Sequence, residues 1–200
     1  GGDLASCSAL GLLYYAGEGV AQDSAKAFAL YTKACDGGEV PGCGNLGVLY
    51  KTGEGVQQDP LKAAELLQKA CDGASAAACF NLGAMIEEGK SGLSEHKTKT
   101  LEMYTKACEG GYAQGCRKLA LAYYAGDGVR KDKFRALELH ARACAGGSAA
   151  ACGNLGAMYE NGEGVRLDKK QALEHYGRAC DLKSDEGCER YSKLKIDAGK

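Results

Sequence analysis

Apolar and small residues recur through the chain at the spacing of an α-helix. Between residues 43 and 50 the stripe consists of Cys43, Leu46, Gly47 and Tyr50: Leu46 and Gly47 lie three and four positions after Cys43, and four and three positions before Tyr50. This period is typical of a helix that buries one face. Gly53 follows, as glycine commonly does just beyond a helix C-terminus. The pattern therefore predicts a first helix that ends before Gly53.

A second helix is predicted after a loop with the sequence Gly-Glu-Gly-Val. Asp59 suits the N-cap, and Pro60 suits the first helical position, where a missing N–H costs nothing. The residues expected to face inward are Ala63, Leu66, Leu67 and Ala70, and the helix is expected to stop at Cys71-Asp72-Gly73. Small residues on the facing stripes allow the two helices to approach closely as a hairpin.

The hairpin pattern recurs with a period of about 36 residues, and pairs of cysteines eight positions apart accompany it. A single hairpin cannot bury its own apolar face, so neighbouring hairpins must stack. We therefore predict an all-α protein, an α/α solenoid of about 5.5 helix–turn–helix repeats in one domain over residues 1–200. Repeat breaks are expected near residues 7, 43, 79, 116 and 152, with a C-terminal capping helix over 188–200.

The cysteine pairs predict disulfides. Within one helix, eight residues would separate the Cα atoms by about 12 Å, which is too far for a bond, but a glycine-containing turn between the members returns the chain. The expected bonds are Cys35–Cys43, Cys71–Cys79, Cys108–Cys116, Cys144–Cys152 and Cys180–Cys188. Zinc favours cysteines two to four apart and four ligands at one point, and reduced buried thiols are the other alternative.

Disulfides form in oxidising compartments, so we expect a secreted or periplasmic protein. This expectation rests on the cysteines alone, because no signal peptide is visible in the sequence. Cys7 is expected to be unpaired. It aligns with the second member of a pair, so its partner would precede residue 1, and we expect this chain to be cut from a longer one, or processed, immediately after a missing cysteine.

The charges nearly cancel, with 25 basic and 26 acidic side chains and a formal net charge of −1. This balance argues against a nucleic-acid partner and against a polybasic membrane surface. No apolar run reaches the roughly eighteen residues that a membrane helix needs. We therefore expect neither nucleic-acid binding nor membrane insertion.

Signals for an enzyme are sparse. Ser-x-x-Lys, the nucleophile motif of serine β-lactamases, occurs at residues 94–97 and 192–195, and Lys-Thr-Gly at residues 51–53, but Ser-Asp-Asn is absent. His96 replaces a capping Asp, His140 takes a slot that holds Tyr elsewhere, and His175 takes a Leu-type position. None has ligands at metal spacing. We expect no catalytic residue, no metal and no cofactor.

The candidate binding residues lie on the first helices: Asn45, Asn81, Asn154, Tyr14, Tyr50, Tyr123 and Tyr159. An Asn amide can pair both the N–H and the C=O of a bound backbone, and Tyr offers a large contact area. The alternative is that each Asn holds the preceding turn and each Tyr packs between helices. The acidic loop residues are expected to form a solvated edge: Glu18, Glu54, Asp127 and Glu163.

The 36-residue period, the Gly-x-Gly-Val loop and the Ala-Cys ending resemble the Sel1-like repeat family, and the eight-spaced cysteines are similar to those of the Helicobacter cysteine-rich proteins. The resemblance implies an exported solenoid with one disulfide per repeat that binds a protein or peptide on its concave face. The alternative function that the resemblance implies is a β-lactamase or penicillin-binding activity. The third repeat departs from the pattern in residues 89–96, where we expect an irregular loop.

Overall fold

The computed structural model describes residues 3–92 and 97–198, which form eleven α-helices and no strand. In chain order these are α1 (Leu4–Ala16), α2 (Ser24–Asp36), α3 (Val40–Thr52), α4 (Pro60–Asp72), α5 (Ala76–Glu87), α6 (Lys97–Glu109), α7 (Ala113–Ala125), α8 (Lys133–Ala145), α9 (Ala149–Asn161), α10 (Lys169–Asp181) and α11 (Asp185–Ala198). Odd-numbered helices are the first helices of the hairpins, and even-numbered helices from α2 to α10 are the second. The predicted all-α hairpin repeat is confirmed.

The helices group into two compact units, Gly1–Lys106 and Ala107–Lys200. The first unit holds α1 to α5 and most of α6, and the second holds the end of α6 with α7 to α11. Within each unit, helices that follow one another in sequence pack together, as α1 does with α2 and α2 with α3. One continuous solenoid over residues 1–200 stays a prediction.

Each hairpin turn follows the capping rules that the sequence predicts. Gly53 ends α3 in the left-handed conformation with φ of 81°, and the Asp59 side chain caps α4 by accepting from the Lys62 N–H at 3.1 Å. The Asp59 N–H in turn donates to the Tyr50 carbonyl at 2.9 Å. The same backbone bond closes three other loops, at Asp23 to Tyr14, Asp132 to Tyr123 and Asp168 to Tyr159. The third repeat's loop is described only to Gly92, and His96 lies outside the described residues.

Five disulfides join the hairpins, at Cys35–Cys43, Cys71–Cys79, Cys108–Cys116, Cys144–Cys152 and Cys180–Cys188. In the first pair the Cα atoms are 4.4 Å apart, because the turn after α2 brings the chain back before α3 begins. Each bond therefore ties the end of one hairpin to the first turn of the next. Cys7 is free and buried.

The core of a hairpin is a large side chain of the second helix packed on a small residue of the first. Tyr104 lies on Gly83, where an added Cβ would come within 2.9 Å of the ring. Tyr176 lies on Gly156 in the same way, and a Cβ added there would come within 2.8 Å of its ring. Both tyrosines are 2% exposed. Gly83 and Gly156 are therefore required by close approach of the aromatic ring.

A second contact between hairpins was missed by the sequence analysis. Lys69 Nζ donates to the Cys35 carbonyl at 3.3 Å, and Arg142 Nη2 donates to the Cys108 carbonyl at 3.1 Å. These carbonyls lie at helix C-termini, where a cation is favoured, and each also accepts a backbone N–H of the following turn, from Gly38 and Gly111 respectively. The available signal was a basic residue two positions before each first cysteine: Lys33, Lys69, Lys106, Arg142 and Arg178.

The last described helix closes the second unit. α11 begins at Asp185, three residues before the predicted start of the capping helix, and is described to Ala198. Its Leu194 is buried in one cluster with Ala172 and Tyr176 of α10. α11 thus packs an apolar side chain on the second helix of the final hairpin, and its role as the cap of a solenoid stays a prediction.

Replacing Cys144 and Cys152 together by alanine is expected to lower the free energy of unfolding by about 2.5 kcal/mol, because the unfolded chain regains the freedom of a short closed loop. Urea denaturation measures the change. Cys7→Ala is the control, since it removes a buried thiol but no bond. A loss in the double variant no larger than that of the control would contradict the structural role of the bond.

Candidate functional site

The three predicted asparagines occupy equivalent, half-buried positions on first helices. The Asn81 side-chain nitrogen donates to the Ala77 carbonyl at 3.1 Å, and its oxygen accepts from Lys51 Nζ at 3.4 Å. Within residues 3–92 and 97–198, the carboxamides of Asn45 and Asn154 have no hydrogen-bond partner. Asn81 therefore holds its own helix and the preceding hairpin, while Asn45 and Asn154 keep polar groups available to a ligand.

The four predicted tyrosines pack on the second helix of their own hairpin. Lys62 Nζ lies 4.6 Å from the ring centroid of Tyr50, and Tyr159 stacks on His175 with centroids 5.4 Å apart. Tyr14 and Tyr123 make the equivalent contacts with Lys26 at 5.1 Å and Arg135 at 5.4 Å. These contacts give the tyrosines a packing role, and their part in binding a partner stays a prediction.

The expectation of a solvated acidic edge is wrong for Glu163. Its Oε2 accepts a hydrogen bond from the Tyr124 hydroxyl, and its Oε1 lies 3.1 Å from Lys133 Nζ. Tyr124 and Lys133 belong to the preceding hairpin, so this loop carboxylate joins two repeats. Glu54 lies near the equivalent Tyr15 of the preceding hairpin and raises the pKa of that phenol above 10.0, but its own side chain stays exposed as expected. The sequence signal that could have predicted this contact is a tyrosine 39 positions before an acidic loop residue, as Tyr124 is before Glu163.

The second glycine of the loop makes this contact possible. A Cβ at Gly164 would lie 2.5 Å from the Lys133 carbonyl oxygen, and one at Gly55 would lie 2.4 Å from the Ser24 carbonyl oxygen. Both carbonyls belong to the first residue of a second helix in the preceding hairpin. Each of these loops therefore lies directly on the preceding repeat, which only glycine permits at this distance.

These contacts shift the titration of the groups involved. Hydrogen bonds from Tyr124 and Lys133, together with the lysine charge, lower the pKa of Glu163 below its ordinary 4.5. The bond to the Glu163 carboxylate correspondingly raises the pKa of Tyr124 above 10.0. The ionised carboxylate is therefore the form that the folded protein favours.

The histidines differ sharply in environment. His140 is 2% exposed on α8, and burial, with a smaller effect from the Arg117 charge, lowers its pKa to about 4. Burial also lowers the pKa of His175, which stacks on Tyr159. Within the described ranges no group of three or more His, Cys, Asp or Glu side chains is placed to hold a metal ion.

The hydrolase motifs gain no support from their surroundings. Ser192 and Lys195 are exposed on α11, and the Lys195 ammonium lies 5.6 Å from the Tyr191 ring centroid. Lys51 bonds to Asn81, and Gly53 is an ordinary helix C-cap. The other Ser-x-x-Lys motif begins at Ser94, which lies outside the described residues. No β-lactamase site is defined by these residues.

The described helices are too short and too polar to cross a bilayer. Their arrangement in disulfide-linked hairpins defines the class of α/α repeat proteins. Five consecutive stretches match the Sel1 repeat, at residues 4–39, 40–75, 76–112, 113–148 and 149–184. The chain belongs to the Sel1 repeat family. No curated protein matches it closely enough to count as a relative.

Three solved structures are similar to the chain. A protective antigen present in uropathogenic Escherichia coli strains is 27% identical with a TM-score of 0.86, over 96% of this chain and 41% of the antigen, so this chain spans about two fifths of the antigen's length. A Sel1 repeat protein from Oxalobacter formigenes is 26% identical with a TM-score of 0.84, over 98% of this chain and 87% of that one. Helicobacter pylori cysteine rich protein B is 30% identical with a TM-score of 0.54, over 66% of this chain and 94% of that one.

Glu163→Gln is expected to lower the free energy of unfolding by about 1 kcal/mol at neutral pH, since it removes the charge that Lys133 and Tyr124 bind. Because the folded pKa of Glu163 lies below its ordinary 4.5, this stabilisation is complete above that pH and is lost as the pH falls through the folded value. The difference between wild type and variant in urea denaturation should therefore shrink as the pH falls below 4.5.

Glu18→Gln is the matched control. Glu18 has the same loop position, and within the described residues its side chain has no hydrogen-bond partner. It should change stability little at any pH. An equal effect of the two substitutions would show that Glu163 contributes nothing specific.

Proposed function

We propose that this chain is a disulfide-linked scaffold that binds a protein or an extended peptide along the concave face formed by its first helices. Sel1 repeat proteins are typically protein-interaction scaffolds. The observation that carries the proposal is that, within each of the two units, the first helices combine a carboxamide that has no hydrogen-bond partner among the described residues with an exposed apolar side chain. These residues are Asn45 and Leu12 in the first unit, and Asn154 and Leu121 in the second. Leu12 is 53% exposed and Leu121 is 39% exposed.

The chemistry of this face suits a polypeptide. A carboxamide offers both a donor and an acceptor to a backbone amide, so each Asn can bind a peptide group in a fixed orientation. Leu121 and Ala157 lie beside Asn154 around one cavity and offer apolar contact to side chains of the partner. Apolar area with a few fixed polar groups is typical of recognition sites.

The five disulfides indicate an oxidising, extracytoplasmic compartment. We propose the periplasm or the exterior of the cell as the place where the scaffold works. The disulfides support binding as well, because hairpins that are covalently joined lose less conformational freedom when a ligand orders the face.

A library of random peptides about twelve residues long, displayed on phage and selected on the oxidised protein, tests the proposal. Selected peptides are expected to lose at least about tenfold in affinity for the variant Leu121→Glu/Asn154→Ala, because the variant charges an apolar contact and removes a carboxamide. Isothermal titration calorimetry with the synthetic peptides measures the change.

Phe134→Glu is the control, since Phe134 is 61% exposed on the second helix α8 and lies outside the proposed face. It should leave affinity unchanged. Thermal unfolding of both variants separates lost binding from lost folding. The proposal is wrong if no peptide is enriched, or if the enriched peptides bind the face variant as tightly as wild type.

A further inference from the structure

The second unit carries a surplus of positive charge that the net charge of the whole chain does not show. Residues 107–200 contain 16 basic and 13 acidic side chains, whereas residues 1–106 contain 9 basic and 13 acidic. The surplus lies in the loops and first helical turns at 129–135 and 165–171, which together hold seven basic and two acidic side chains. The equivalent stretches of the first unit, 20–26 and 56–62, together hold two of each. The hairpin fold therefore does not require this charge.

The two basic stretches lie on one edge of the second unit. The fifth loop lies on the start of α8, because a Cβ at Gly164 would be 2.5 Å from the Lys133 carbonyl oxygen. At the other end of these helices, Arg178 Nη2 of α10 lies 3.5 Å from the carbonyl oxygen of Ala145, the last residue of α8. α8 and α10 thus run side by side in the same direction, and their N-terminal ends adjoin. We call this the basic edge; its cations are Arg130, Lys131, Lys133, Arg135, Arg166, Lys169 and Lys170.

Five of the seven cations are not used by the fold. Lys133 binds Glu163 at 3.1 Å, and the Arg135 guanidinium lies 5.4 Å from the Tyr123 ring centroid. The other five are exposed and have no hydrogen-bond or ion-pair partner within residues 3–92 and 97–198: Arg130, Lys131, Arg166, Lys169 and Lys170. The aspartates of the edge, Asp132 and Asp168, are engaged as helix caps by backbone N–H groups.

Stability does not account for the positions of these cations. The helix macrodipole disfavours positive charge in the first turn of a helix. The first turn of α8 nevertheless contains Lys133 and Arg135, that of α10 contains Lys169 and Lys170, and neither turn contains an acidic residue. An anionic partner at this edge would therefore relieve an unfavourable arrangement of charge.

Large apolar side chains are exposed among the cations. Phe134 is 61% exposed and Leu167 is 54% exposed. Phe134 takes the position in the fourth hairpin that Lys170 takes in the fifth, and Leu167 takes the position of Lys131. Each hairpin thus presents one apolar side chain surrounded by positive charge.

The edge is also indented. Tyr123, Arg130, Lys131 and Lys133 are among the residues that line an open depression of about 650 Å³. This volume lies within the range of ligand-binding clefts, about 300–1,000 Å³. The depression can therefore receive side chains of a partner next to two of the unpaired cations.

We propose that the basic edge is a second interaction surface, which binds an acidic segment of a partner protein that also carries apolar side chains. Carboxylates of the segment pair with the unpaired cations, and its apolar side chains contact Phe134 and Leu167. Since salt screens charges beyond about 8 Å, the segment must lie directly on the edge. The surface is separate from the concave face, so this proposal does not depend on the proposed function.

A mixed polypeptide fits the edge better than a nucleic acid or an anionic lipid surface does. Both of these alternatives present closely spaced phosphates, which would also meet the carboxylates of Asp132 and Asp168. A polypeptide can instead place single carboxylates opposite the cations and an apolar side chain opposite Phe134.

The test titrates three acetylated and amidated octapeptides into the ¹⁵N-labelled oxidised protein and follows the backbone signals by NMR. The probe is Asp-Glu-Phe-Glu-Asp-Leu-Glu-Asp, and its comparators replace either every acid by its amide or both apolar residues by alanine. The probe is expected to shift the signals of residues 129–135 and 165–171 and to bind about tenfold more tightly than the amide peptide. Raising the salt from about 0.05 M to 0.5 M should weaken its binding about tenfold.

Arg130→Gln/Lys131→Gln removes two unpaired cations and gives the fourth hairpin the Gln57-Gln58 pair of the second. Gln58 supports its loop by donating to the Lys51 carbonyl at 2.7 Å, so the variant is expected to unfold at the wild-type temperature or above. It should bind the probe about tenfold more weakly.

Lys183→Gln/Arg190→Gln is the matched control, because it removes one lysine and one arginine that are exposed beyond the C-terminal end of α10. It should leave the affinity within about twofold of wild type. Phe134→Ala, which introduces the residue of the first hairpin, should weaken the probe about threefold and leave the alanine peptide unchanged.

The same edge variant distinguishes the other polyanions. A single-stranded DNA of about twelve nucleotides, and vesicles of phosphatidylcholine with about one third phosphatidylglycerol, are expected to bind more weakly than the probe. If either binds more tightly and loses this binding in the edge variant, the surface recognises phosphate and the protein partner is wrong. The proposal is also overturned if the probe does not bind, if the amide peptide binds as tightly, or if the edge variant and its control lose affinity equally.

Discussion

Each hairpin has glycine and alanine on its facing stripe, so it buries too little apolar surface to be stable alone, and contact between consecutive hairpins must supply the rest. Up to three kinds of contact serve this need. A disulfide ties the helix ends, a basic side chain such as Arg142 binds the carbonyl of Cys108, and a loop carboxylate such as Glu163 accepts from Tyr124. The disulfide and Arg142 lie at the C-terminal end of the second helix α8, and the Glu163 contact lies at its N-terminal end. Contacts at both ends fix the angle of this helix to the neighbouring hairpins as well as its distance from them.

The helices and turns could be predicted because their signals are local. Asp59 and Gly53 act through atoms a few residues away. A cysteine pair with a glycine turn between its members can form its disulfide independently of the residues that surround it. The partners of Glu163 could not be predicted in the same way. A single acidic residue in a glycine loop looks like a solvated charge until the register of neighbouring hairpins places Tyr124 and Lys133 beside it.

In the candidate site, too, the positions of the residues could be predicted from the sequence, but their contacts could not. Periodicity alone places asparagines and tyrosines on first helices, but it does not tell which atoms are already used. The Asn81 carboxamide is hydrogen-bonded to Ala77 and Lys51, whereas that of Asn154 has no hydrogen-bond partner in the part of the chain that the structure describes. Tyr50 lies under Lys62, so its ring serves the hairpin. The residues best able to bind a ligand are those whose side chains are not already used by hydrogen bonds or ring contacts within the fold.

A repeated fold makes such residues easier to recognise, because the other repeats show what the structure itself requires. Where Tyr104 and Tyr176 each fill their slot and satisfy their hydroxyl, packing explains the residue completely. His140 takes the same slot and is equally buried, but its Nδ1 has no hydrogen-bond partner among the described residues, which costs stability. The net charge of −1 gives little long-range attraction to a partner, so discrimination must come from short-range groups of this kind. In a scaffold whose hairpins are covalently linked, side-chain groups that no contact within the described residues uses, such as the Asn154 carboxamide, can therefore set specificity while the hairpin around them stays unchanged.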